Sequence, residues 1–224
     1  MDIKDIVEAL PESTIQSNKL DTIEKRYNYV IENYDVNIFS ILTEDFLKSI
    51  SYKSCIPQST HNLTVTQSIL NMVLCDVTAY SCKLLSNETL PVFNYRIKAV
   101  SSILGKIKRY PNLSFQSIFN DILSIRIKVK DYIKDTPPYL RYVDLRNGKK
   151  NDDGYRAQHL YYKLDNHHYT IEIQLWSDHD YNFNSWSHSY AYKHTDNEKL
   201  LQVRKMYDSG VIKTPEDFVR CLNG

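Results

Sequence analysis

The stretch DDGYRAQHLYYKLDNHHYTIEIQL, which spans residues 152–175, decides the fold. Its first three residues predict a tight turn, because glycine adopts positive φ at little cost and aspartate tolerates it better than most residues. Residues 160–164 and 169–175 are rich in β-branched and aromatic side chains and predict two strands, with Asp165 and Asn166 as a hairpin turn between them. The first turn would then present three polar side chains at the mouth of a sheet: Tyr155, Arg156 and His159.

Glu172 stands out in the second predicted strand because it lies between Ile171 and Ile173. It alternates in phase with Thr170 and Gln174, so that one face of the strand is polar and the other apolar. A carboxylate in the middle of a sheet is costly unless it is paired, solvated or bound to a cation. Two interpretations follow: an edge strand with one solvated face, or a metal ligand or general base.

The composition is balanced in charge, with 28 basic and 27 acidic residues, so a nucleic-acid surface would have to be a local patch. Glycine is scarce and neither G-x-G-x-x-G nor G-x-x-x-x-G-K-[ST] occurs, which argues against a glycine-rich phosphate loop. The four cysteines lack C-x-x-C spacing, and this predicts buried thiols of a cytoplasmic protein. Apolar runs of about 18 residues are absent, so we expect no membrane span.

The first part of the chain, residues 1–90, is predicted to be helical. Apolar side chains recur there at helical spacing in residues 19–34, 37–50 and 64–85. Basic residues in this part could form a patch for a partner, although a solvated helix face is the commoner arrangement. These residues are Lys25, Arg26 and Lys48.

Residues 96–110 are predicted to form a helix with Arg96 near its amino end. Lys98, Ser102 and Lys106 recur every four residues on a face different from the apolar stripe. Two ammonium groups with a hydroxyl between them, and an arginine at the helix end, suit several phosphate oxygens at once. The alternative is an ordinary amphipathic helix with solvated lysines.

Residues 122–129 predict an alternating strand that follows Asp121. Its polar face carries Ser124, Arg126 and Lys128. An acidic residue at the start of a strand with arginine on the polar face suits a cleft that binds a cation and a polyphosphate together. The alternative is a capping aspartate before a half-exposed strand.

A basic loop at residues 146–150 follows a short predicted strand at residues 140–145. Because the loop precedes Tyr155, it could close on an anionic substrate, or it could be a solvated hairpin tip. The later histidines lack H-E-x-x-H spacing, so we expect no metal hydrolase site among them. Near the carboxyl end, residues 214–217 predict a capped helix start with proline at its first position.

Four motifs, in this order, resemble the synthetase domain of the RelA/SpoT family, the ATP-dependent pyrophosphate transferases that make (p)ppGpp. The motifs are R-I-K with S-I-x-x-K from Arg96 to Lys106, D-I-L-S-I-R-I from Asp121, G-Y-R-A-Q-H-L from Gly154, and E-I-Q from Glu172. His188 with Tyr192 and Lys193 is similar to the family's closing segment. The resemblance covers about residues 94–194 and is greatest to the small alarmone synthetases.

The resemblance implies a reaction in which the β,γ-pyrophosphate of ATP moves to a ribose 3′-hydroxyl. Mg²⁺ would be held by Asp121 with Glu172, and Glu172 would also take the proton from the hydroxyl. The residues implied in ATP binding are Arg96, Lys98, Ser102, Lys106 and Arg126. Those implied in acceptor binding are Tyr155, which would stack on the base, Arg156, His159, Gln174 and His188.

The departures from the family pattern lie mostly on the acceptor side: Asp153, Ser124, Trp176 and Ser187 replace the usual residues. They predict an unusual acceptor, and we expect it to be the 3′ CCA end of tRNA. The protein would then be a growth-inhibiting toxin, and a protein antitoxin would neutralise it. The alternative is a (p)ppGpp or related purine alarmone synthetase that uses GDP or GTP. A third hypothesis is a non-catalytic nucleotide-binding module.

The predicted fold class is α+β, with a mixed sheet of about five strands flanked by helices, as in nucleotidyltransferase-like folds. We expect three parts in the chain. Residues 1–90 form a helical region packed on the catalytic domain, residues 91–194 the pyrophosphotransferase core, and residues 195–224 the closing helices.

Overall fold

The alternation of apolar and polar residues in the later half of the chain produces a sheet. The computed structural model describes residues 7–8, 10–26, 29, 42–61, 63–85, 94–191 and 195–224. Among them, five strands form one sheet in the order β1-β2-β5-β4-β3. The strands are β1 (Asn94–Ile97), β2 (Leu123–Val129), β3 (Arg141–Asp144), β4 (Gln158–Tyr162) and β5 (Ile171–Ser177). The predicted α+β class with a mixed five-stranded sheet flanked by helices is confirmed.

β5 is the central strand of this sheet, because β2 lies on one side of it and β4 on the other. All of its residues are buried except Gln174, which is half-buried. The interpretation of Glu172 as part of a solvated edge strand is therefore wrong. Its polar face is covered, and the carboxylate must find partners inside the protein.

The helices before the sheet follow the predicted apolar spacing in part. Those whose bounds lie within the described residues are α1 (Glu12–Ser17), α2 (Glu44–Ile50), a 3₁₀ turn (Gln58–Thr60) and α3 (Gln67–Leu85). α2 begins where the Thr43 side chain accepts a hydrogen bond from the Phe46 amide, which is a common N-cap arrangement. Much of the helix predicted at residues 19–34, and the first part of that predicted at residues 37–50, lie outside the described residues.

α4 (Val100–Arg109) begins four residues later than predicted. Arg96 and Ile97 belong instead to β1, which pairs antiparallel with β2 and brings Arg96 opposite Ser124. The prediction that Arg96 lies at a helix amino end is therefore wrong. Pairing with β2 satisfies the backbone groups of this segment, whereas the helical spacing of its side chains continues only from Val100.

A short helix, α5 (Phe115–Ile118), precedes β2, and the described residues after β5 are mostly helical. The later helices are α6 (Asp178–Trp186), a π-helical turn (Ser187–Ala191), α7 (Asn197–Asp208) and α8 (Pro215–Asn223). The predicted capping box is confirmed, because the side chains of Thr214 and Asp217 bond each other's backbone amides. Phe183, Val203 and Phe218 lie in the buried cluster that joins these helices.

The chain divides into two compact units that interleave along the sequence. The first contains residues 1–127, 137–141 and 160–173, and the second contains residues 128–136, 142–159 and 174–224. The expected division at residues 90 and 194 stays a prediction. Within the described residues, no helix has both the length and the apolar character that crossing a bilayer requires.

The cysteines are not buried as predicted. Cys55, Cys75 and Cys82 are exposed, Cys221 is half-buried, and none of the four forms a disulfide. Cys75 and Cys82 lie two turns apart on α3, so that they share one helix face, and that face is turned away from the core.

Candidate active site

Glu172 is held by side chains from the two strands that flank β5. Its carboxylate accepts a hydrogen bond from the Ser124 hydroxyl on β2 at 2.7 Å and from the Tyr161 hydroxyl on β4 at 3.2 Å. Glu172 is 6% exposed, so these donors take the place of water around the charge. Glu172 is therefore a buried carboxylate oriented from both sides, and its role as metal ligand or general base stays a prediction.

Tyr161 was not among the predicted site residues. Burial raises the pKa of its phenol above the usual value, and the neighbouring charge of Glu172 raises the pKa further, with a smaller contribution from Asp121. The phenol therefore stays protonated and can donate to Glu172. Asp121 and Glu172 both belong to the first unit.

Asp121 is paired with two of the lysines that the sequence singled out. Lys98 donates to one carboxylate oxygen, and Lys106 donates to the other at 3.0 Å and to the Asn120 side chain at 2.9 Å. Burial lowers the pKa of Lys106, although Asp121 partly opposes the shift. The side chains of the three charged residues are 11% to 17% exposed, so this is a partly desolvated cluster and not a solvated lysine stripe.

The residues present fit a Mg²⁺ ion that is shared with a substrate. Mg²⁺ is usually bound by one or two carboxylates together with substrate phosphates and waters, and Asp121 and Glu172 are two such carboxylates. Among the described residues, no group of three or more histidine, cysteine or acidic side chains could hold a metal by itself. The site therefore lacks a complete protein cage of the kind that structural metal sites use.

Two of the remaining residues predicted to bind ATP, Arg96 and Arg126, share one face of the sheet. Arg96 is opposite Ser124 in the β1–β2 pair, and Arg126 follows Ser124 by two residues, so the three side chains share one face. Arg96 is exposed and Arg126 is half-buried, while Ser102 is half-buried on α4. The structure thus brings cationic groups to the face from which Ser124 reaches Glu172.

The residues predicted to bind the acceptor belong to the second unit, and Tyr155 is at their centre. The indole N–H of Trp176 donates to the Tyr155 hydroxyl at 2.9 Å, and that hydroxyl lies 2.9 Å from Nε2 of His159. The Lys149 ammonium lies 4.5 Å from the Tyr155 ring centroid. Trp176, a departure from the family pattern, is thus a buried part of this cluster, and sequence reasoning did not count it as a site residue.

The turn before Tyr155 is built as predicted. Gly154 has φ of +79°, and the side chain of Asp152 accepts from its amide at 2.9 Å. Arg156 forms two hydrogen bonds to the carboxylate of Asp152, at 2.7 and 2.9 Å, so that it fastens the turn. Whether Arg156 also binds an acceptor stays a prediction.

Two further predicted acceptor residues lie apart from this turn in the sequence. Gln174 is half-buried on β5, and His188 is exposed in the π-helical turn. Tyr192 and Lys193, which complete the closing motif, lie outside the described residues.

Comparisons with known proteins find structural likeness and no sequence match. No family model matches the chain, and no curated protein matches it. The small alarmone synthetase 1 from Bacillus subtilis, bound to its product pppGpp, is 20% identical, with a TM-score of 0.41 over 64% of this chain and 84% of that one. A GTP pyrophosphokinase family protein from Streptococcus pneumoniae is 18% identical, with a TM-score of 0.37 over 75% of this chain and 88% of that one. Likeness of this degree assigns no substrate, so the function must come from the site residues.

Proposed function

We propose that the protein is an ATP-dependent pyrophosphotransferase, which moves the β,γ-pyrophosphate of ATP to a ribose 3′-hydroxyl. The observation that carries the proposal is Glu172, a buried carboxylate in the central strand that Ser124 and Tyr161 orient, in the same unit as the Asp121 cluster with Lys98 and Lys106. A general base and a set of cations for a polyphosphate are the two parts that this reaction needs.

Glu172 acts as the general base. It takes the proton of the attacking hydroxyl while a bond forms between that oxygen and the β-phosphorus of ATP. The bond between the β-phosphorus and the oxygen that bridges to the α-phosphate breaks, and AMP leaves with that oxygen. Ser124 and Tyr161 hold the carboxylate in place, since both donate to it.

Lys98 and Lys106 bind phosphate oxygens of the donor. In the absence of substrate both lysines pair with Asp121. When ATP binds, its phosphates would replace some of these contacts. Mg²⁺ bound at Asp121 and Glu172 would supply further positive charge against the phosphates. Arg96 and Arg126 add cationic groups on the same face of the sheet.

For the acceptor we propose the 3′ end of tRNA, which makes the protein an inhibitor of translation. The support is Trp176: where the resembled family commonly has an arginine, this chain has a buried indole bonded to Tyr155. An acceptor site with tryptophan in place of arginine suits an acceptor other than a free guanine nucleotide. A protein antitoxin would be the partner that neutralises the activity.

GDP or GTP is the second candidate acceptor, and the ion pairs of the surface favour it. Four of the basic residues that RNA binding would use are already paired with carboxylates, and the pairs are Lys25–Asp21, Lys48–Glu44, Arg146–Asp144 and Lys149–Asp153. Exposed pairs of this kind are weak, so RNA phosphates could still displace them.

The test is transfer of label from γ-³²P-ATP in the presence of Mg²⁺, with deacylated tRNA, GDP, GTP and ATP offered separately. Label on tRNA alone supports the first acceptor, and label on a guanine nucleotide alone supports the second. We expect Glu172→Gln to lower the rate by about 10² to 10⁴. The matched control is Glu198→Gln, the same change at an exposed position of α7, which should leave the rate unchanged. Absence of transfer to every acceptor would refute the proposed reaction.

A further inference from the structure

The first unit contains a cavity that the proposed reaction does not use. Its volume is about 350 Å³, which falls in the range of small-molecule sites. Its walls combine aromatic rings, among them Phe115 and Tyr169, with two cationic side chains, Arg141 and Lys163. No aspartate or glutamate is among the residues that line it.

His61 is the clearest sign that the cavity takes a ligand. It is 2% exposed and lines the cavity, and neither ring nitrogen has a hydrogen-bond partner among the described residues. Burial lowers the pKa of the ring, so the imidazole is neutral and offers one donor and one acceptor. Backbone contacts of Ile56 and Asn166 oppose part of this pKa shift, but neither ring nitrogen makes a full hydrogen bond to the described residues, so a ligand in the cavity would satisfy them better.

The cavity wall is rigid on the side that faces the helical part of the unit. The buried carboxylate of Asp76 accepts from the Tyr169 hydroxyl at 2.9 Å, from the Ser54 hydroxyl at 3.3 Å and from the Cys55 amide at 3.0 Å. His61 stacks on Phe115 with 4.9 Å between the ring centroids. The aromatic wall is therefore preorganised, which reduces the entropic cost of binding a planar group.

The cationic side of the cavity suits a phosphate. The Arg141 guanidinium lies 4.7 Å from the ring centroid of Tyr161. Burial lowers the pKa of Lys163, and its ammonium is 3.4 Å from the Asn166 side chain. A ligand phosphate would offer both cations stronger hydrogen bonds than these contacts.

We infer that the cavity binds a mononucleotide, with its base against the aromatic rings and the edge of His61, and with its phosphate at Arg141 and Lys163. The cavity adjoins the Lys98–Asp121–Lys106 cluster, because Asn120 lines it and accepts from Lys106 at 2.9 Å, but none of the three charged residues lines the cavity. It touches the catalytic carboxylate through one residue, because Tyr161 lines the cavity and donates to Glu172. A bound nucleotide that moves Tyr161 would therefore alter the orientation of Glu172.

The test is equilibrium binding of AMP, GMP and inorganic phosphate to the full chain by calorimetry. His61→Phe retains an aromatic ring to stack on Phe115 but removes both nitrogens, so we expect this variant to fold. Lys163→Ala is the second variant. We expect each to raise the Kd for at least one nucleotide by tenfold or more. Lys205→Ala, which removes a charge on an exposed part of α7, and Lys98→Ala, in the Asp121 cluster, should leave that Kd within twofold.

The inference is overturned if no nucleotide binds, if His61→Phe and Lys163→Ala both bind as the unmodified protein does, or if Lys98→Ala abolishes the same binding. If inorganic phosphate binds as tightly as AMP and GMP, the base contributes nothing to affinity, and the assignment of a mononucleotide as the ligand is also overturned. These outcomes are independent of the transferase assay. If AMP binds through Lys163 but no pyrophosphate is transferred, the cavity site stands and the proposed function fails. If pyrophosphate is transferred but AMP does not bind through Lys163, the proposed function stands and the cavity site fails.

Discussion

At the scale of single residues, Tyr161 and Ser124 share the task of holding the Glu172 carboxylate. Tyr161→Phe removes one of these two donors and keeps the ring, so we expect the fold to remain and the rate of transfer to fall about tenfold. A hydrogen bond to the charged form of an acid stabilises that form, so its loss should move the acidic limb of the pH–rate profile to higher pH.

The measurement is kcat/KM from pH 4 to 9 for both proteins. A purely structural role of Tyr161 would lower the melting temperature without moving the acidic limb. That result would contradict its assignment as a positioning residue for Glu172.

Asp121 pairs with both Lys98 and Lys106, and Asp121→Asn removes the counter-charge of two partly buried ammonium groups. We expect the free energy of unfolding to fall by about 1–3 kcal/mol and transfer activity to be lost. The same substitution at Asp21, whose pair with Lys25 is exposed, should have a much smaller effect on stability. Urea unfolding of both variants measures the difference, and equal losses would show that the Asp121 cluster is no more than a surface ion pair.

At the scale of elements, the turn before Tyr155 depends on Gly154. A Cβ at this position would lie 2.8 Å from Cβ of Arg204 and 3.0 Å from the Phe183 ring, and the backbone has φ of +79°. Gly210 has nearly the same backbone, φ of +76°, but a Cβ there would meet nothing within 4 Å. Gly210→Ala should therefore cost about 1–2 kcal/mol for strain alone, and Gly154→Ala should cost a further 1–3 kcal/mol or so for overpacking.

Thermal unfolding of the two glycine variants tests this comparison. The difference between their melting temperatures isolates the steric part, since the backbone strain is nearly common to both. If Gly154→Ala were the more stable of the two, the packing of Arg204 and Phe183 against the turn would not be as described.

Structural features that depend on residues close together in the chain were predictable from the sequence. The turn at Gly154, the alternation in β2 and the capping box at Thr214 each depend on residues close together in the chain, and all are confirmed. Arg96 was placed in a helix because its segment has helical spacing, while its actual partner, Ser124 on β2, is distant in sequence. Pairing between distant segments leaves no mark in the periodicity of either one.

At the scale of the whole molecule, stability should decrease in acid. The Arg146 guanidinium lowers the pKa of Asp144 to about 2. Burial raises the pKa of Asp152, but hydrogen bonds from Arg156 and from the Gly154 amide outweigh this effect and leave the pKa below its usual value. In the unfolded chain both carboxyls regain a pKa of about 3.9, so the unfolded state binds more protons between these values.

The stabilisation from these carboxylates is therefore complete above about pH 5 and is lost as the pH falls towards 2. We expect the urea midpoint to decline over this interval, and Asp144→Asn should decline less steeply because one of the contributing groups is absent. Midpoints at pH 7, 5, 4 and 3 measure both slopes. Parallel slopes for the two proteins would contradict the contribution of Asp144.

The order of the strands is the part of the architecture that the sequence did not reveal, and the site depends on it. Glu172 was identified as unusual from its isoleucine neighbours, but its partners were not, because Ser124 and Tyr161 become its neighbours only when β5 lies between β2 and β4. Trp176 was noted only as a departure from a family pattern. Its contact with Tyr155 depends on how β5 and the turn fold together, which no local pattern records.

The hydrogen bond from Trp176 to Tyr155 also gives the protein an optical reporter of the residues proposed to bind the acceptor. The chain has two tryptophans, and the other, Trp186, packs against Tyr207 and Phe218. In a Trp186→Phe background, the remaining indole fluorescence would come from a side chain that contacts the Tyr155–His159 pair directly. A change in its emission on addition of tRNA or GTP would reveal engagement of Tyr155 before any product is formed, without a label on either molecule.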